Sequence, residues 1–522
     1  MRYNLLTERI IRVRSMTQSE AVQYTLPETL CLLLADAVQS FPALRAHQRF
    51  PWHAFLVQLA ALALHRAGLD EPPREAERWC ALLRGLTPTF PEDEPWCLVA
   101  QPDRPALLQA PVPGGRLDGF KPVPTPDALD MLVTSRNHDL KREAMAGAAP
   151  DDWLMALVSL QTQEGVMGAG KYGIARMNGG YGSRPCFSIR PPGGPGAWFA
   201  RDLRLLLARR SEILKRRPEF AAENGVGLLW LEPWPEGDQL TLDRLDPFFV
   251  EICRLVRLIE TGDGIAAVER GSAKPRIDAK ALNGVTGDPW APVERSDGKC
   301  FSITGAGFDY RTVLRLLGPD YQAPVLLDLG SDDADAGLSL FACAIARGQG
   351  KTEGYHERRI PISRRVGRLI AARATDELAQ AGRERAEAAG RLAGSVLRPA
   401  LFCLLREGRT DEPLSPKARE NLRRTTDRYT DRLDQEVDAD FFPRLWEELD
   451  TDDPAERNRR RTAWLGAKVK VAEDLLDEAI RSLPVASIHR YRARSRARGL
   501  FHALKRKHFP QLQEDEADDA AA

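Results

Sequence analysis

The stretch LSLFACAIARGQGKTEGYHERRIPIS, residues 338–363, decides between two architectures. Gly350-Lys351-Thr352 matches the end of the phosphate-binding loop G-x-x-x-x-G-K-[ST], in which a strand feeds a glycine turn and then a helix. The upstream glycine is missing: the position five residues before Gly350 is Ile345. The residues after the glycines alternate polar and apolar, which is a strand pattern. No helix N-terminus would then aim its dipole at a phosphate. The nearest apolar run ending in aspartate is APVLLDLGSDD, residues 323–333. The stretch therefore reads as a strand–loop–strand hairpin whose tip carries Arg347, Gln349, Lys351 and Thr352. Such a tip can enter a nucleic-acid groove, and a plain solvated hairpin loop has the same composition. A nucleotide hydrolase using Gly350-Lys351-Thr352 stays as the alternative.

The hairpin sits two thirds of the way along a 522-residue chain, long enough for several domains and a large core. Apolar residues make up 43%, and no stretch reads as long and charge-free enough to span a membrane. The opening MRYNLLTERI is interrupted by Glu8 and Arg9 and does not read as a leader, so a cytoplasmic location is expected. Basic and acidic residues balance at 74 each, so net charge does not imply a nucleic-acid ligand and local patches would have to supply one. The eight cysteines stand singly with no C-x-x-C pair, which fits a reducing compartment and buried apolar roles.

The pattern changes near residue 364. Before it, Pro- and Gly-punctuated segments mix strand-like runs such as CFSI with helical ones. WHAFLVQLAALALHRAG (52–68) and DPFFVEICRLVRLIE (246–260) both read as helices. After it, four long helical blocks follow. The first occupies 364–408, and the second opens at Ser415 with Pro416 in the first turn. The third opens with Asp453 as cap, Pro454 at its first position and Glu456 closing a capping box. The fourth carries Arg490, Arg492, Arg494, Arg496 and Arg498 with no acidic residue among them. Self-repulsion in such a row favours an anionic neighbour, a DNA backbone or a partner's acidic face, although a solvated surface would look the same. The expected fold is thus α+β, a large irregular mixed domain over 1–364 followed by a four-helix bundle over 365–510. An acidic tail, 511–522, is expected to be disordered.

The richest stretch for chemistry is EGVMGAGKYGIARMNGGYGSRP, residues 164–185. Its glycines are interleaved with Lys171, Tyr172, Arg176, Asn178, Tyr181 and Arg184. Glycine lets backbone approach another surface closely, and the basic and aromatic neighbours suit a nucleic-acid groove. A flexible loop is the bland reading. Gly168-x-Gly170-x-x-Gly173 formally matches a dinucleotide fingerprint, but a helical segment precedes it where a strand is required. Asn137-His138-Asp139 has no second histidine at ligand spacing, so no metal is expected. Nothing reads as an assembled active site, and neither enzymatic activity nor a cofactor is expected.

Taken in order, these motifs resemble the large subunit of the type I-E CRISPR surveillance complex, Cascade (the CasA family). The resemblance runs from YNLLTERIIRVR through TSRNHDLK, the glycine stretch, LLWLEPWPEGDQL, TGDPWAPV and ARGQGKTEGYHERR to the helical C-terminus. It implies a non-catalytic subunit that reads the protospacer-adjacent motif (PAM) of double-stranded DNA from the minor groove, starts unwinding and helps recruit a helicase–nuclease. The implied partners are the guide RNA, the guide-handle-binding subunit, the backbone subunits and the small-subunit dimer. By the same resemblance the PAM-reading loop falls on Gly168, Ala169, Gly170 and Lys171, and the hairpin tip on Gln349, Gly350, Lys351 and Thr352. The handle-docking loop falls on Asn137 and His138. Two departures stand out. Extra residues lie before Glu357-Arg358-Arg359, so Thr352 competes with Gln349 as the wedge between base pairs. The family's PAM-contacting lysine has three matches here, Lys274, Arg276 and Lys280. A standalone single-strand nucleic-acid binder is the third reading.

Overall fold

A computed structural model describes residues 2–130, 147–262, 264–330, 333, 337–348, 351–372, 375–409 and 413–512. Asn137, His138, Gln349, Gly350 and most of the acidic tail lie outside the described residues, as does the side chain of Lys351. The chain divides into two compact units, Met1–Phe308 with Asp320–Arg364 and Asp309–Pro319 with Arg365–Ala522.

The decisive stretch folds as its alternation predicts. Ser339–Gly348 and Lys351–Pro361 pair antiparallel, from Ser339 opposite Pro361 to Gly348 opposite Lys351. The residues after the glycines continue a ladder instead of opening a helix, so the nucleotide-hydrolase reading loses its geometry. Val325–Leu327, in the run nearest to an aspartate-tipped strand, forms a 3-10 turn. Cys186–Arg190 pairs on the other side of Ser339–Cys343. The first hairpin strand is therefore central and buried from Ser339 to Ala346, which explains its unbroken apolar run. The second is an edge strand, and its exposed Glu353, Glu357 and Arg359 discourage further pairing.

The rest of the first unit is built around the helix Arg49–Ala67, buried without interruption from Phe50 to Leu64. A helix buried all round has no solvent face. It packs against the helices Pro150–Gln163 and Pro195–Ala208 and the strand Leu245–Val250. Close approach is enforced at Gly227, where a Cβ would meet Leu62 Cδ2 at 2.3 Å. The sheets are small, of two or three strands each.

One expected helix is absent. DPFFVEICRLVRLIE forms two strands, Leu245–Val250 and Leu255–Thr261, the latter paired with Gly264–Arg270. Both runs are buried on both faces at their centres, and a short apolar run carries no periodicity that separates strand from buried helix. Its β-branched and aromatic residues favoured the strand.

The second unit has four long helical segments: Thr375–Leu405, Pro416–Leu449, Pro454–Ser482 and Arg490–His508. The first widens into a π turn at Leu392–Leu397, just where Pro399 withholds the N–H that would bond one turn back. Pro416–Leu449 and Pro454–Ser482 run antiparallel. Their cross-pairs, Arg432 with Glu478, Lys468 with Asp440 and Arg461 with Glu448, step down one helix as they step up the other. Ser415 caps its helix by accepting from the Ala418 N–H, and Asp453 caps the next by accepting from Ala455. The capping box does not form, because Glu456 is drawn off to Arg459 and Arg460. Residues 309–319, far upstream in sequence, supply this unit with the short helix Tyr310–Leu317. Tyr310 stacks on Phe441 at 4.5 Å and donates its hydroxyl to Asp434.

One sequence reading needs correction. The helix Asp376–Leu405 does contain a window long and apolar enough to cross a membrane by length and composition. Leu378, Leu392, Val396, Leu397 and Leu401 of this helix are buried within the unit.

Candidate nucleic-acid interface

The glycine stretch begins where the helix Pro150–Gln163 ends and Glu164 turns extended. Backbone bonds then close it upon itself, from Val166 N–H to Gly180 O and from Ile174 N–H to Glu164 O. At its tip the Lys171 N–H donates to Gly168 O and the Met167 N–H to Lys171 O. Gly168-Ala169-Gly170-Lys171 is therefore a tight turn, with Gly170 at φ +75° as its third position requires of a type II turn. Gly165 is needed for a different reason: a Cβ there would come within 2.3 Å of Gly182 O. The loop is a hydrogen-bonded double turn with an exposed tip at Gly168 and Ala169.

Its arginines do not face a groove, contrary to the sequence reading. Arg176 and Arg184 are 2% and 1% exposed. Arg184 donates from Nε and Nη2 to the two carboxylate oxygens of Asp288, at 2.5 and 3.0 Å. Arg176 lies between Glu251 (3.4 Å) and Asp288 (3.6 Å), its guanidinium 3.6 Å from the Phe249 ring centroid. Burial pulls the Arg176 guanidinium down to about 10 and pushes the Glu251 carboxyl up to about 7. The Ala175 N–H also reaches Glu251, at 2.5 Å. These groups form an anchor beneath the turn, in which each buried guanidinium has a carboxylate beside it.

A second anchor ties the turn to the hairpin. Glu164, fully buried, meets Arg347 at 3.3 Å and Arg254 at 3.4 Å. Burial raises its carboxyl above the usual range, and both arginines oppose that rise. The Ile345 N–H donates to Ser183 Oγ at 2.7 Å, and the Ser183 N–H returns to Ile345 O. The two elements singled out by sequence are thus bonded neighbours. Glu164 and Ser183 were not singled out; a glutamate opening a glycine run carries no local sign of burial.

The remaining candidates separate. Lys171 is half-exposed and paired with Glu269 at 2.5 Å. Ser272 N–H donates to Gly170 O, and the Tyr172 hydroxyl donates to Ala273 O, which brings the exposed Lys274 beside the turn. Arg276 does not present its guanidinium at the surface. It is 1% exposed, lies over Trp234 and donates to the carbonyls of Glu232 and Pro233, and burial pulls it down to about 10. Lys280 is exposed at the start of a 3-10 turn. Thr352 pairs opposite Arg347, next to a bulge that leaves Glu353 without a partner position.

In the second unit, the arginine row is less free than its sequence suggests. Arg492 donates to Glu407 O at 3.1 Å, Arg496 to Gly408 O at 2.8 Å and Arg494 to Ile480 O at 3.4 Å. These are carbonyls at or just beyond helix ends, where intrahelical partners run out. Arg498 pairs with Asp477 at 2.8 Å. Arg490 is exposed. The acidic neighbour missing from the row itself comes from the helix Pro454–Ser482. Ala493, Ala497 and Phe501, four residues apart, form the buried stripe of this helix.

An irregular α+β unit with a clamped glycine turn and hairpin, continued in one chain by four long helices, defines a two-unit fold class. That fold is the one found in solved CasA (Cse1) structures. CasA from Thermus thermophilus matches with a TM-score of 0.65 at 15% identity, over 98% of this chain and 100% of that one. Cse1 of Acidimicrobium ferrooxidans, a CRISPR-associated protein, matches at 0.62 and 15%, over 97% and 99%. Thermobifida fusca Cse1 matches at 0.61 and 14%, over 97% and 98%. No protein-family model matches the chain, and no curated protein sequence matches it.

Proposed function

We propose that this chain is the large subunit of a type I-E Cascade complex, a non-catalytic reader of PAM-bearing double-stranded DNA in the cytoplasm. The observation that carries the reading is the end-to-end likeness to CasA, over 98% of this chain and 100% of the Thermus protein. In support, the turn Gly168–Lys171 and the hairpin that brackets Gln349 and Gly350 are joined through Glu164 and Ser183. The turn presents backbone and small side chains to the minor groove, with Lys274 or Lys280 as the cation beside it. Gln349, whose planar amide can stack and hydrogen-bond, is the wedge that opens the first base pairs, with Thr352 as its competitor. The minor groove scarcely distinguishes A·T from T·A, so several related PAMs are tolerated. Asn137 and His138 dock at the guide-RNA handle, and the assembled complex recruits a helicase–nuclease after unwinding. The other Cascade subunits and the guide RNA are the partners required.

The test is reconstitution with guide RNA and the neighbouring subunits, then binding to duplexes with and without a PAM. Gln349→Ala is expected to impair fully paired targets while sparing a duplex with a pre-opened bubble beside the PAM. Failure to enter the complex at all, tight DNA binding without guide RNA, or DNA-stimulated ATP hydrolysis that Lys351→Ala abolishes would each overturn the reading.

A further inference from the structure

The first unit holds a cleft of about 360 Å³ to which none of the residues of the turn Gly168–Lys171 contributes. Its walls come from the start of the helix Arg49–Ala67, the start of the helix Pro195–Ala208 and the ends of the strands Cys186–Arg190 and Ser339–Gly348. Rings make the walls. Phe41 meets Trp52 edge-on at 5.8 Å, Trp198 meets Phe341 edge-on at 5.1 Å, and His53 stacks on Trp198 at 3.6 Å. The polar residues facing the space include Arg49, Arg190 and Glu357.

Arg190, half-buried in the cleft wall, differs from the buried arginines of this unit in its charge partners. Elsewhere in this unit the buried arginines are answered: Arg184 by Asp288, Arg210 by Asp246, Arg201 by Asp333, and Arg257 by backbone carbonyls. Among the described residues no carboxylate pairs with Arg190 or Arg49. The Arg190 guanidinium lies over the rings of Trp198 and Phe341, 5.0 and 5.6 Å from their centroids. Its Nε is buried and without a hydrogen-bond partner, as are those of Arg176 and Arg276 and, in the cleft itself, the indole nitrogens of Trp52 and Trp198. Burial lowers its proton affinity, Arg359 and Arg49 lower it further, and Glu357 and Cys186 oppose them. Two guanidinium groups, those of Arg49 and Arg190, and one carboxylate, that of Glu357, thus line an aromatic chamber whose other nearby carboxylate, Asp202, is taken up by His53. An unmet cation in such a place is expensive unless an anion arrives to meet it.

We propose that this cleft binds an aromatic anion of nucleoside-monophosphate size. The rings accept the planar base, and the forked guanidinium groups of Arg190 and Arg49 accept the phosphate. The volume lies at the lower end of the 300–1,000 Å³ range of small-ligand sites, which suits one nucleotide. The group can arrive as a free mononucleotide or as the phosphorylated terminal nucleotide of a single strand. This inference stands independently of the PAM-reading role.

The test is calorimetric titration of the full chain with AMP, adenosine, inorganic phosphate and a short 5′-phosphorylated deoxyadenosine oligonucleotide. AMP is expected to bind at least about tenfold more tightly than adenosine or phosphate alone, since loss of a charged hydrogen bond carries about that factor. The oligonucleotide arm separates the two sources: binding tighter than AMP identifies a strand terminus, and weaker binding a free nucleotide. Arg190→Gln is expected to weaken AMP binding about tenfold, and Glu357→Gln to strengthen it. Should Arg190→Gln unfold the unit, Arg49→Gln, at an exposed position, carries the same expectation. No AMP binding at millimolar concentration, or binding that neither arginine replacement changes, overturns the proposal.

Discussion

Two arginine-rich stretches of this chain look alike in sequence and are used in opposite ways. Arg176 and Arg184, in the glycine stretch, are buried and answered by Glu251 and Asp288. Arg492, Arg494, Arg496 and Arg498, on the last helix, lie at the surface or half-buried and reach carbonyl ends and one aspartate. In the first region the cations are scaffold and the glycines form the exposed surface. In the second the backbone is the scaffold and the cations form the surface. A basic residue near a glycine run is therefore not evidence that the residue meets a ligand. What distinguishes the two is the environment: in low dielectric an arginine needs a carboxylate or backbone carbonyls beside it, whereas in water a single donor suffices and the rest stay hydrated.

The sharpest way to break this contrast is Asp288→Asn. It leaves the two buried guanidinium groups of Arg176 and Arg184 facing only the Glu251 carboxylate. Removing one partner of a buried network costs on the order of 3–5 kcal/mol. The full chain is expected to lose that much unfolding free energy in urea, and the turn Gly168–Lys171 to become accessible to protease. A loss below about 1 kcal/mol would place the anchor in the same class as the surface arginines.

How far the sequence revealed this can be judged at particular residues. The hairpin was legible because the apolar run LSLFACAI and the alternating run after Gly350 carry two different periodicities around a glycine turn. The caps Ser415 and Asp453 were legible because capping is local. The strands within residues 246–260 were not, since burial on both faces erases the period that marks a strand. The burial of Arg276 was equally hidden. Nothing within a few residues of it announces that Trp234 and the carbonyls of Glu232 and Pro233, some forty positions upstream, close over it. Residues 309–319 joining the helical unit is likewise a long-range fact. Local chemistry was readable, and partnership across the chain was not.

A pH titration sharpens the contrast on a smaller scale. The folded chain holds the Glu251 proton to about pH 7, against 4.5 for the free carboxyl. Its contribution to stability is present in full below about pH 4.5 and is lost as the pH rises through about 7, because the folded state binds the extra proton in that window. The amplitude is on the order of 3–4 kcal/mol at most, since each pH unit between the two values is worth about 1.4 kcal/mol. Urea midpoints at pH 5 and pH 7.5 measure it, and Glu251→Gln is expected to abolish this part of the pH dependence. A wild-type profile unchanged by the replacement would mean that the arginines already hold Glu251 ionised at pH 5.

The smallest expected effect on stability comes from the last helix. Arg492 and Arg496 each place one guanidinium N–H on a carbonyl, at Glu407 and Gly408. A guanidinium has five such donors in a fixed fork, so most of them stay free for phosphate even while the carbonyl is met. The triple replacement Arg490→Gln, Arg492→Gln, Arg496→Gln is therefore expected to cost less than about 1 kcal/mol of stability, because exposed polar contacts trade with water. Its effect on DNA is expected to be of another kind. Each lost phosphate contact lowers the slope of log affinity against log salt by about 0.9. Three contacts would flatten target binding by the assembled complex visibly while leaving PAM preference unchanged, since phosphates carry no sequence. An unchanged slope with unchanged stability would leave these arginines as helix-end caps and solvated surface. A large loss of stability would mean that the second region is held by its charges as the first one is.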